Sequence, residues 1–311
     1  MRRPESILVV VDPTADERPS LDRAAWLAKL SGARLELFIC EYDQYLSSDQ
    51  KAIDSQTRHH RETLETLAEP LRGDGLDVDV DARWDRPLDE GIVRKVIAAL
   101  PDLVVKDTHY HSLIRRTLLS NTDWNLIRHC PAPLWLVKSR QYADPVRILA
   151  AVDPLHEHDK PAALDREILA TAEHLAALAD GEMHVAHVFD SAPLALASSA
   201  SIAPTVPAAA QPSLEVIESL MKSHRKAFDA LLEAYDLSER QLHFERGAIA
   251  EALPDVADEI GAHVVVLGAI SRGALKRVLI GSTAERVLDR LPCDLLVVKP
   301  AGFETPVAAD D

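Results

Sequence analysis

The segment VVVLGAISRGALKRVLIGSTAERVL, Val264 to Leu288, holds the residues whose types and spacing best suit a chemical task. Gly268, Gly273 and Gly281 offer backbone that an anion can approach, since no Cβ stands in the way. Ser271, Ser282 and Thr283 offer hydroxyl donors, and Arg272 a cation. The apolar run ending at Gly268 predicts a strand, and the amphipathic run opening at Ser282 predicts a helix. A loop entering a helix N-terminus favours an anion, because the first N–H groups are unpaired and the dipole is positive there. The chemistry expected is therefore phosphate binding. Ser282 also fits a second role, as a helix N-cap with Glu285 three positions on.

Charge sets this loop apart. The chain has 311 residues and a net charge of −16, which disfavours non-specific nucleic-acid binding. Residues 1–141 carry 20 Lys and Arg against 23 Asp and Glu, whereas residues 142–311 carry 14 against 27. Arg272, Lys276, Arg277 and Arg286 are thus a basic island in the more acidic part. The Gly268 to Gly273 spacing opens like a Walker loop. Ala274 and Leu275 follow where that loop needs Lys and Ser or Thr, which argues against a P-loop NTPase. No G-x-G-x-x-G follows a first strand, so a dinucleotide fold has no support.

The elements that must position the loop occur twice. SILVVVDP at 6–13 matches RILAAVDP at 147–154, Leu21-Asp22-Arg23 recurs as Leu164-Asp165-Arg166, and HCPAPLWLVK at 129–138 matches RLPCDLLVVKP at 290–300. Two units follow, 1–142 and 143–311. The second is lengthened by the uncharged, Ala-, Ser- and Pro-rich stretch 191–213, which reads as a loop or lid. Strands are expected at 6–11, 34–40, 76–83, 102–106 and 133–138, and again at 147–152, 182–189, 241–246, 263–268 and 294–299. Helices are expected at 18–31, 50–71, 87–99 and 121–129, and at 160–179, 213–236, 250–261 and 282–291. Strands with little polar alternation are buried on both faces, and alternating β and α implies a parallel sheet with helices on both sides. Ligands then bind beyond the carboxyl ends of the strands, where the strand order reverses. Asp12 and Asp153 stand at that end of the first strand in each copy.

The first copy has lost the loop's glycines. Lys106 to Thr122 reads KDTHYHSLIRRTLLSNT. Aligned on the motif, Lys106 takes the place of Gly268, His109 that of Ser271, and Ser120-Asn121-Thr122 that of Gly281-Ser282-Thr283. Each added Cβ obstructs approach to phosphate. The cluster Lys106, His109, His111, Arg115 and Arg116 could serve another anion or a polar lipid head group, or be a solvated loop.

At these residues the chain resembles the universal stress proteins. Gly268, Ser271, nine residues, then Gly281-Ser282 is similar to the family signature G-x-x-G-x(9)-G-S/T, with serine in place of the second glycine. The likeness covers about 5–140 and 146–300 and points to the tandem, E-type branch. It implies two flavodoxin-like (adenine nucleotide alpha hydrolase-like) α/β domains, each a five-stranded parallel sheet with helices on both faces. It also implies a pseudo-dimer in which the last strands, 134–138 and 295–299, meet, with a homodimer left open. For the second copy it implies an ATP pocket, with or without Mg²⁺. Val152 and Asp153 would hold the base, and Gly268, Ser271, Arg272, Gly273, Gly281, Ser282 and Thr283 the phosphates and ribose. The function expected is a stress-response sensor or regulator, at most a weak ATPase. An apolar-ligand or lipid-binding scaffold lidded by 191–213, and a docking protein with no nucleotide, stay open as alternatives.

Other constellations point to less. His156-Glu157-His158-Asp159 could ligate a metal or be a solvated loop, and no metal site is expected. His59 and His60 are expected exposed, and His184 and His187 as packing or surface residues. Asp12 and Asp153 could be catalytic or could close the loops after their strands. No nucleophile–base arrangement or G-x-S-x-G is present. Cys130 and Cys293 are expected as small buried residues at strand entrances. The three cysteines suit no disulfide framework, and no apolar run has a membrane span's length, so a cytoplasmic location is expected.

Overall fold

The computed structural model describes residues 3–41, 49–111, 116–138, 141–155, 163–190, 214–269 and 287–309. Side chains of 109–111, 116–118 and 214 are outside that description. The first half runs β1 (Ser6–Val10), α1 (Pro19–Ser31), β2 (Arg34–Glu41), α2 (Gln50–Gly73), β3 (Val78–Trp84), α3 (Leu88–Ala99) and β4 (Leu103–Asp107). It continues through a small antiparallel hairpin, β5 (His109–His111) and β6 (Arg116–Leu118), to α4 (Asn121–His129) and β7 (Leu134–Val137). The second half repeats the plan as β8 (Arg147–Ala151), α5 (Ala163–Leu178), β9 (Glu182–Phe189), α6 (Leu214–Leu232), β10 (Leu242–Arg246), α7 (Ile249–Glu259), β11 (Val264–Gly268) and β12 (Asp294–Val298). The fold is thus α/β and doubly wound, as the alternating pattern predicts. The hairpin is the element that pattern did not foresee. It lies in the segment that replaces the phosphate loop in the first copy.

Ten strands form one sheet in the order β10-β9-β8-β11-β12-β7-β4-β1-β2-β3. Each half is flavodoxin-like in the broad sense, five parallel strands covered on both faces. Its strands lie in the order third, second, first, fourth, fifth, so the winding reverses between first and fourth. The two fifth strands pair antiparallel, Leu295 opposite Leu136, Leu296 opposite Trp135 and Val297 opposite Leu134. That pairing closes two apolar edges that would otherwise stand open.

Strand side chains alternate between two cores. Ile7, Val9 and Val11 join Leu27 of α1, Leu64 of α2, Ile168 of α5 and Phe228 of α6 on one face. Leu8 and Val10 join Val93 of α3, Leu126 of α4 and Leu253 of α7 on the other. Both faces of each inner strand are dry, which is why their sequences read as unbroken apolar runs.

Polar side chains weld the halves at this seam. Asp294, with no exposed surface, accepts from Arg23 Nε (3.0 Å), Trp135 Nε1 (3.1 Å), the Lys138 N–H (2.9 Å) and Tyr142 Oη (2.8 Å). Burial raises its carboxyl above the usual range, and the Arg23 guanidinium opposes that rise. The repeated lysines act reciprocally. Lys138 of the first half donates to the carbonyls of Leu291 (2.6 Å) and Leu288 (3.5 Å) in the second. Lys299 of the second donates to the carbonyls of Ile127 and Arg128 at the end of α4 in the first. A cation suits the open carbonyls at a helix C-terminus. Cys130 and Cys293 are fully buried just ahead of β7 and β12, and all three cysteines are free, as expected.

Candidate functional site

The winding reverses between β8 and β11 in the second half, and there the carboxyl ends of two parallel strands lie side by side. Val266 is opposite Ala150, so continuing the register sets Gly268 beside Val152. Gly268 is glycine for a packing reason. A Cβ there would lie 2.6 Å from Leu164 Cδ2, 2.7 Å from Leu164 Cγ and 3.1 Å from Ile168 Cδ1, so α5 could not lie so close to the strand. Of the residues expected to form the site, Val152, Asp153 and Gly268 are thus brought together. Ser271, Arg272, Gly273, Gly281, Ser282 and Thr283 lie outside the described residues, as do the 191–213 stretch and His156 to Asp159.

Hydrogen bonds fix what Val152 and Asp153 can do. The Val152 N–H donates to the Ala186 carbonyl (2.9 Å), and the Asp153 N–H donates to Asp165 Oδ1 (3.0 Å). Both backbone donors therefore have protein partners. Val152 presents an apolar wall, and Asp153, partly exposed, presents a carboxylate. Asp165 is fully buried and ties the β8 loop to α5. Its signal in the sequence was the repeated Leu-Asp-Arg.

Beneath Val152 lies a histidine pair that sequence reasoning left as packing or surface. His187 Nδ1 is 3.0 Å from the Val152 carbonyl, and His187 Nε2 is 2.9 Å from His224 Nδ1. A carbonyl only accepts, so Nδ1 of His187 carries a proton, and in the neutral ring Nε2 accepts from His224. The rings stack 5.1 Å apart with Phe189, Phe228 and Phe244 against them. A second pair, His184 Nδ1 and His243 Nε2 at 3.1 Å, sits on the neighbouring strands, and burial lowers the pKa of both. Among the described residues no group of three or more His, Cys, Asp or Glu could hold a metal ion. His60 corrects an expectation. It is buried, because it reaches Glu41 at the end of β2, while His59 is exposed.

The equivalent position in the first half is built from the same strands and filled differently. Strand register also corrects the motif alignment. Ile7 is opposite Leu103 as Ile148 is opposite Val264, and Asp107 is opposite Val137 as Gly268 is opposite Val298. Asp107, not Lys106, therefore stands in the place of Gly268, and Lys106 in that of Leu267. The motif alignment slips by one because it places an extra residue between His109 and Ser120, whereas the offset between Asp107 and Gly268 is the same as that between Ser120 and Gly281.

The Asp107 carboxylate points at the start of α1. The Ser20 N–H donates to Oδ1 (2.6 Å) and the Ser20 hydroxyl to Oδ2 (2.6 Å). Burial raises its pKa above the usual carboxylate value, against the pull of Ser20 and Lys106. Lys106 Nζ, also buried, donates to Asp123 Oδ1 (2.8 Å) and to the Asp107 carbonyl (2.8 Å). Asp123, fully buried, occupies the first turn of α4, where the Ser120 N–H donates to its Oδ2 (2.7 Å) in a capping box. Two helix N-termini in the first half are thus answered by internal carboxylates. Asp12 accepts from the Thr14 N–H (2.8 Å) and hydroxyl (2.6 Å), the loop-closing role open to it from the sequence.

The Universal stress protein family model matches residues 4–138 and again 146–299. The chain belongs to the universal stress protein family. It is a tandem, E-type universal stress protein. A relative named Universal stress protein E from Salmonella typhi is 32% identical over 320 residues, spanning 99% of this chain and 98% of that protein. Among solved structures, a putative universal stress protein from Pseudomonas aeruginosa UCBPP-PA14 is 30% identical, with a TM-score of 0.74 over 96% of this chain and 94% of its own. A functionally unknown protein from Pseudomonas aeruginosa PAO1 is 28% identical, with a TM-score of 0.74 over 96% and 93%. Among the described residues of this universal stress protein, no helix is long and apolar enough to cross a membrane.

Proposed function

We propose that this universal stress protein binds one adenine nucleotide, ATP, at the switch point of its second half, residues 143–311, and acts as a cytoplasmic stress-response sensor or regulator. The observation that carries the reading is the contrast at one register position. Gly268 carries no charge where the first half places the carboxylate of Asp107. An anion at the strand end would be repelled by that carboxylate in the first half and would meet no such charge in the second. The fit of the described residues supports it further. Val152 gives the base an apolar wall, and the Asp153 carboxylate is a suitable acceptor for an exocyclic amino group. The Val152 carbonyl is held by His187, so the loop's edge is rigid before the ligand arrives. Gly281, Ser282 and Thr283, with Ser271, Arg272 and Gly273, would hold the phosphates and ribose by donors of the kind a helix N-terminus supplies. Any Mg²⁺ would travel on the phosphates. Its chemistry would be charge neutralisation there.

Isothermal titration with ATP tests the reading. One site per chain is expected, and Gly281→Glu is expected to abolish it by setting an anion and a side chain in the phosphate seat. A folded wild-type chain that gives no heat and protects no residue on ATP addition overturns it.

A further inference from the structure

We infer that the first half carries a small-molecule site of its own, at the amino ends of its strands, that takes a free α-amino acid. A cavity of about 350 Å³ opens there, between the first residues of β1 and β2, the start of β3 and the carboxyl end of α3. It lies at the opposite end of the strands from the switch point. Binding pockets run from roughly 300 to 1,000 Å³, so a cavity of this size suits a small metabolite. Arg34, Glu36, Asp79 and Lys95 supply its charges, and Ala98 and Ala99 part of its apolar wall.

The second half fills the same place from its own chain. Ser6 is opposite Arg34 as Arg147 is opposite Glu182. Arg147 Nε and Glu182 Oε2 pair at 3.3 Å across those strands. Counting back without a gap from β4 and β11, Ala99 corresponds to Ile260, which packs on the core beneath α7. In the first half the Ser6 hydroxyl turns away to Asp102 (3.0 Å), and alanine stands for isoleucine, so the place is open. Arg34 is exposed and faces a serine, where Glu182 faces its arginine.

A charge cluster lies beneath the cavity. Lys95, buried, donates to Glu36 Oε1 (2.5 Å) and to Asp81 Oδ2 (3.0 Å). The second half has Val256, His184 and His243 at these three positions. Burying an ammonium carries a desolvation cost that burying valine does not. One lysine serves two carboxylates, so the cluster stays negative, and Asp79, opposite Glu36, adds to it. The last turn of α3 also borders the cavity, and its carbonyls are the negative end of the helix dipole. An ammonium group is stabilised at this spot. Arg34 at the mouth suits a carboxylate, which a guanidinium takes through two parallel hydrogen bonds. Arg34 and Glu36 share one face of β2, about 7 Å apart along the strand. A ligand with an ammonium and a carboxylate on one carbon meets both, and the alanines leave room for its side chain. This reading does not rest on nucleotide binding in the second half.

The test uses the full chain, with thermal unfolding followed in each of the common L-α-amino acids in turn. At least one is expected to give a saturable rise in melting temperature. Its N-acetyl and carboxamide derivatives, each lacking one of the two charges, are expected to give none. Isothermal titration of the responding amino acid then compares three variants with the wild type. Ser6→Arg with Arg34→Glu installs the pair the second half already carries, Ala99→Ile installs its isoleucine, and Arg34→Ala removes one exposed side chain. Each is expected to weaken binding about tenfold or more. The first two borrow residues the same frame already accommodates, and the third guards against either failing to fold. The inference is overturned if no amino acid shifts the melting temperature, if the N-acetyl derivative serves as well as the amino acid, or if the folded variants bind as the wild type does.

Discussion

The two halves are the same machine assembled with different charges at one point. Both wind five parallel strands in the same order, and both bring the first and fourth strands together where the winding reverses. In the second half that point carries Gly268, with Leu164 and Ile168 packed against it. In the first it carries Asp107, held by Ser20, beside a buried Lys106–Asp123 pair. Apolar packing and a tethered carboxylate are thus alternative ways to fill the same place between a strand end and the helix packed on it. In the first half the carboxylate also answers the positive end of α1. One register position is enough to give two copies of one frame a different charge at the switch point.

The largest expected effect tests whether the halves are one cooperative unit. Asp294 has Pro133 as its register counterpart in the first half, so nothing mirrors it across the seam. Asp294→Ala removes one acceptor shared by Arg23, Trp135, Tyr142 and the Lys138 N–H. It should cost about 3–5 kcal/mol, the usual result of removing one partner of a buried ion pair. Urea unfolding followed by tryptophan fluorescence and by circular dichroism checks it. Transitions that stay coincident and shift by less than about 1 kcal/mol would show that the β7–β12 ladder alone joins the halves.

Next in size is the exchange at the switch point itself. Gly268→Ala drives a Cβ into Leu164 and Ile168 and should cost about 1–3 kcal/mol by overpacking. It should also weaken any ATP heat. Asp107→Ala meets no such wall, and its cost, about 1–3 kcal/mol, comes instead from the buried Ser20 N–H and hydroxyl left without their acceptor. A Gly268→Ala chain as stable as the wild type would show that packing does not explain the glycine.

The lysine clasp gives a pH signature of similar size that the halves share unequally. Burial pushes Lys299 down from 10.5 to about 8, and lowers Lys138 as well. A lysine whose folded pKa lies below its unfolded one binds fewer protons in the folded state between those values. Stability from this group therefore rises as pH climbs from about 8 towards 10.5. Lys299→Met should flatten that rise by about 1–3 kcal/mol, read from denaturation midpoints across the range. An unchanged slope would mean the ammonium is better solvated than its surroundings suggest.

The fold was legible in the sequence because its signals are local and doubled. Unbroken apolar runs such as Val264–Leu267 and the repeated VDP tripeptides mark buried parallel strands without any knowledge of partners. The antiparallel meeting of Leu134–Val137 with Asp294–Val298 was available only from the family resemblance. The site was legible in part. Val152, Asp153 and Gly268 fall where strand ends must fall. Asp107 was missed because the motif was anchored on Lys106 with an extra residue allowed before Ser120, whereas counting back without a gap from Ser120 and Gly281 reaches Asp107 and Gly268, as the strand register does. His60 was misplaced because its helix reads as polar around it, and only contact with Glu41 explains its burial. Asp294 was invisible for another reason. Its four donors come from residues more than a hundred positions away, and no local pattern encodes them.

The smallest expected effect concerns the edge of the second site. His187 has Ile39 as its register counterpart in the first half, since Leu35 is opposite Ile7 as Met183 is opposite Ile148. His187→Ile therefore gives the second half the first half's residue at that point. It removes the donor to the Val152 carbonyl and the acceptor for His224 while keeping an apolar body in the aromatic cluster. A buried carbonyl left without its donor costs about 1–3 kcal/mol, and the isoleucine recovers part of that by packing, so a net loss of about 1 kcal/mol is expected. The more telling readout is ATP affinity relative to stability. If His187 positions the Val152 edge, His187→Ile weakens binding several-fold at a temperature where the chain is fully folded. His187→Gln, which can still donate to the carbonyl, restores most of it. If both variants bind as the wild type does, the histidine pair serves the core alone, and the rigidity of the base-binding edge must come from Asp165 and the β8–β9 ladder instead.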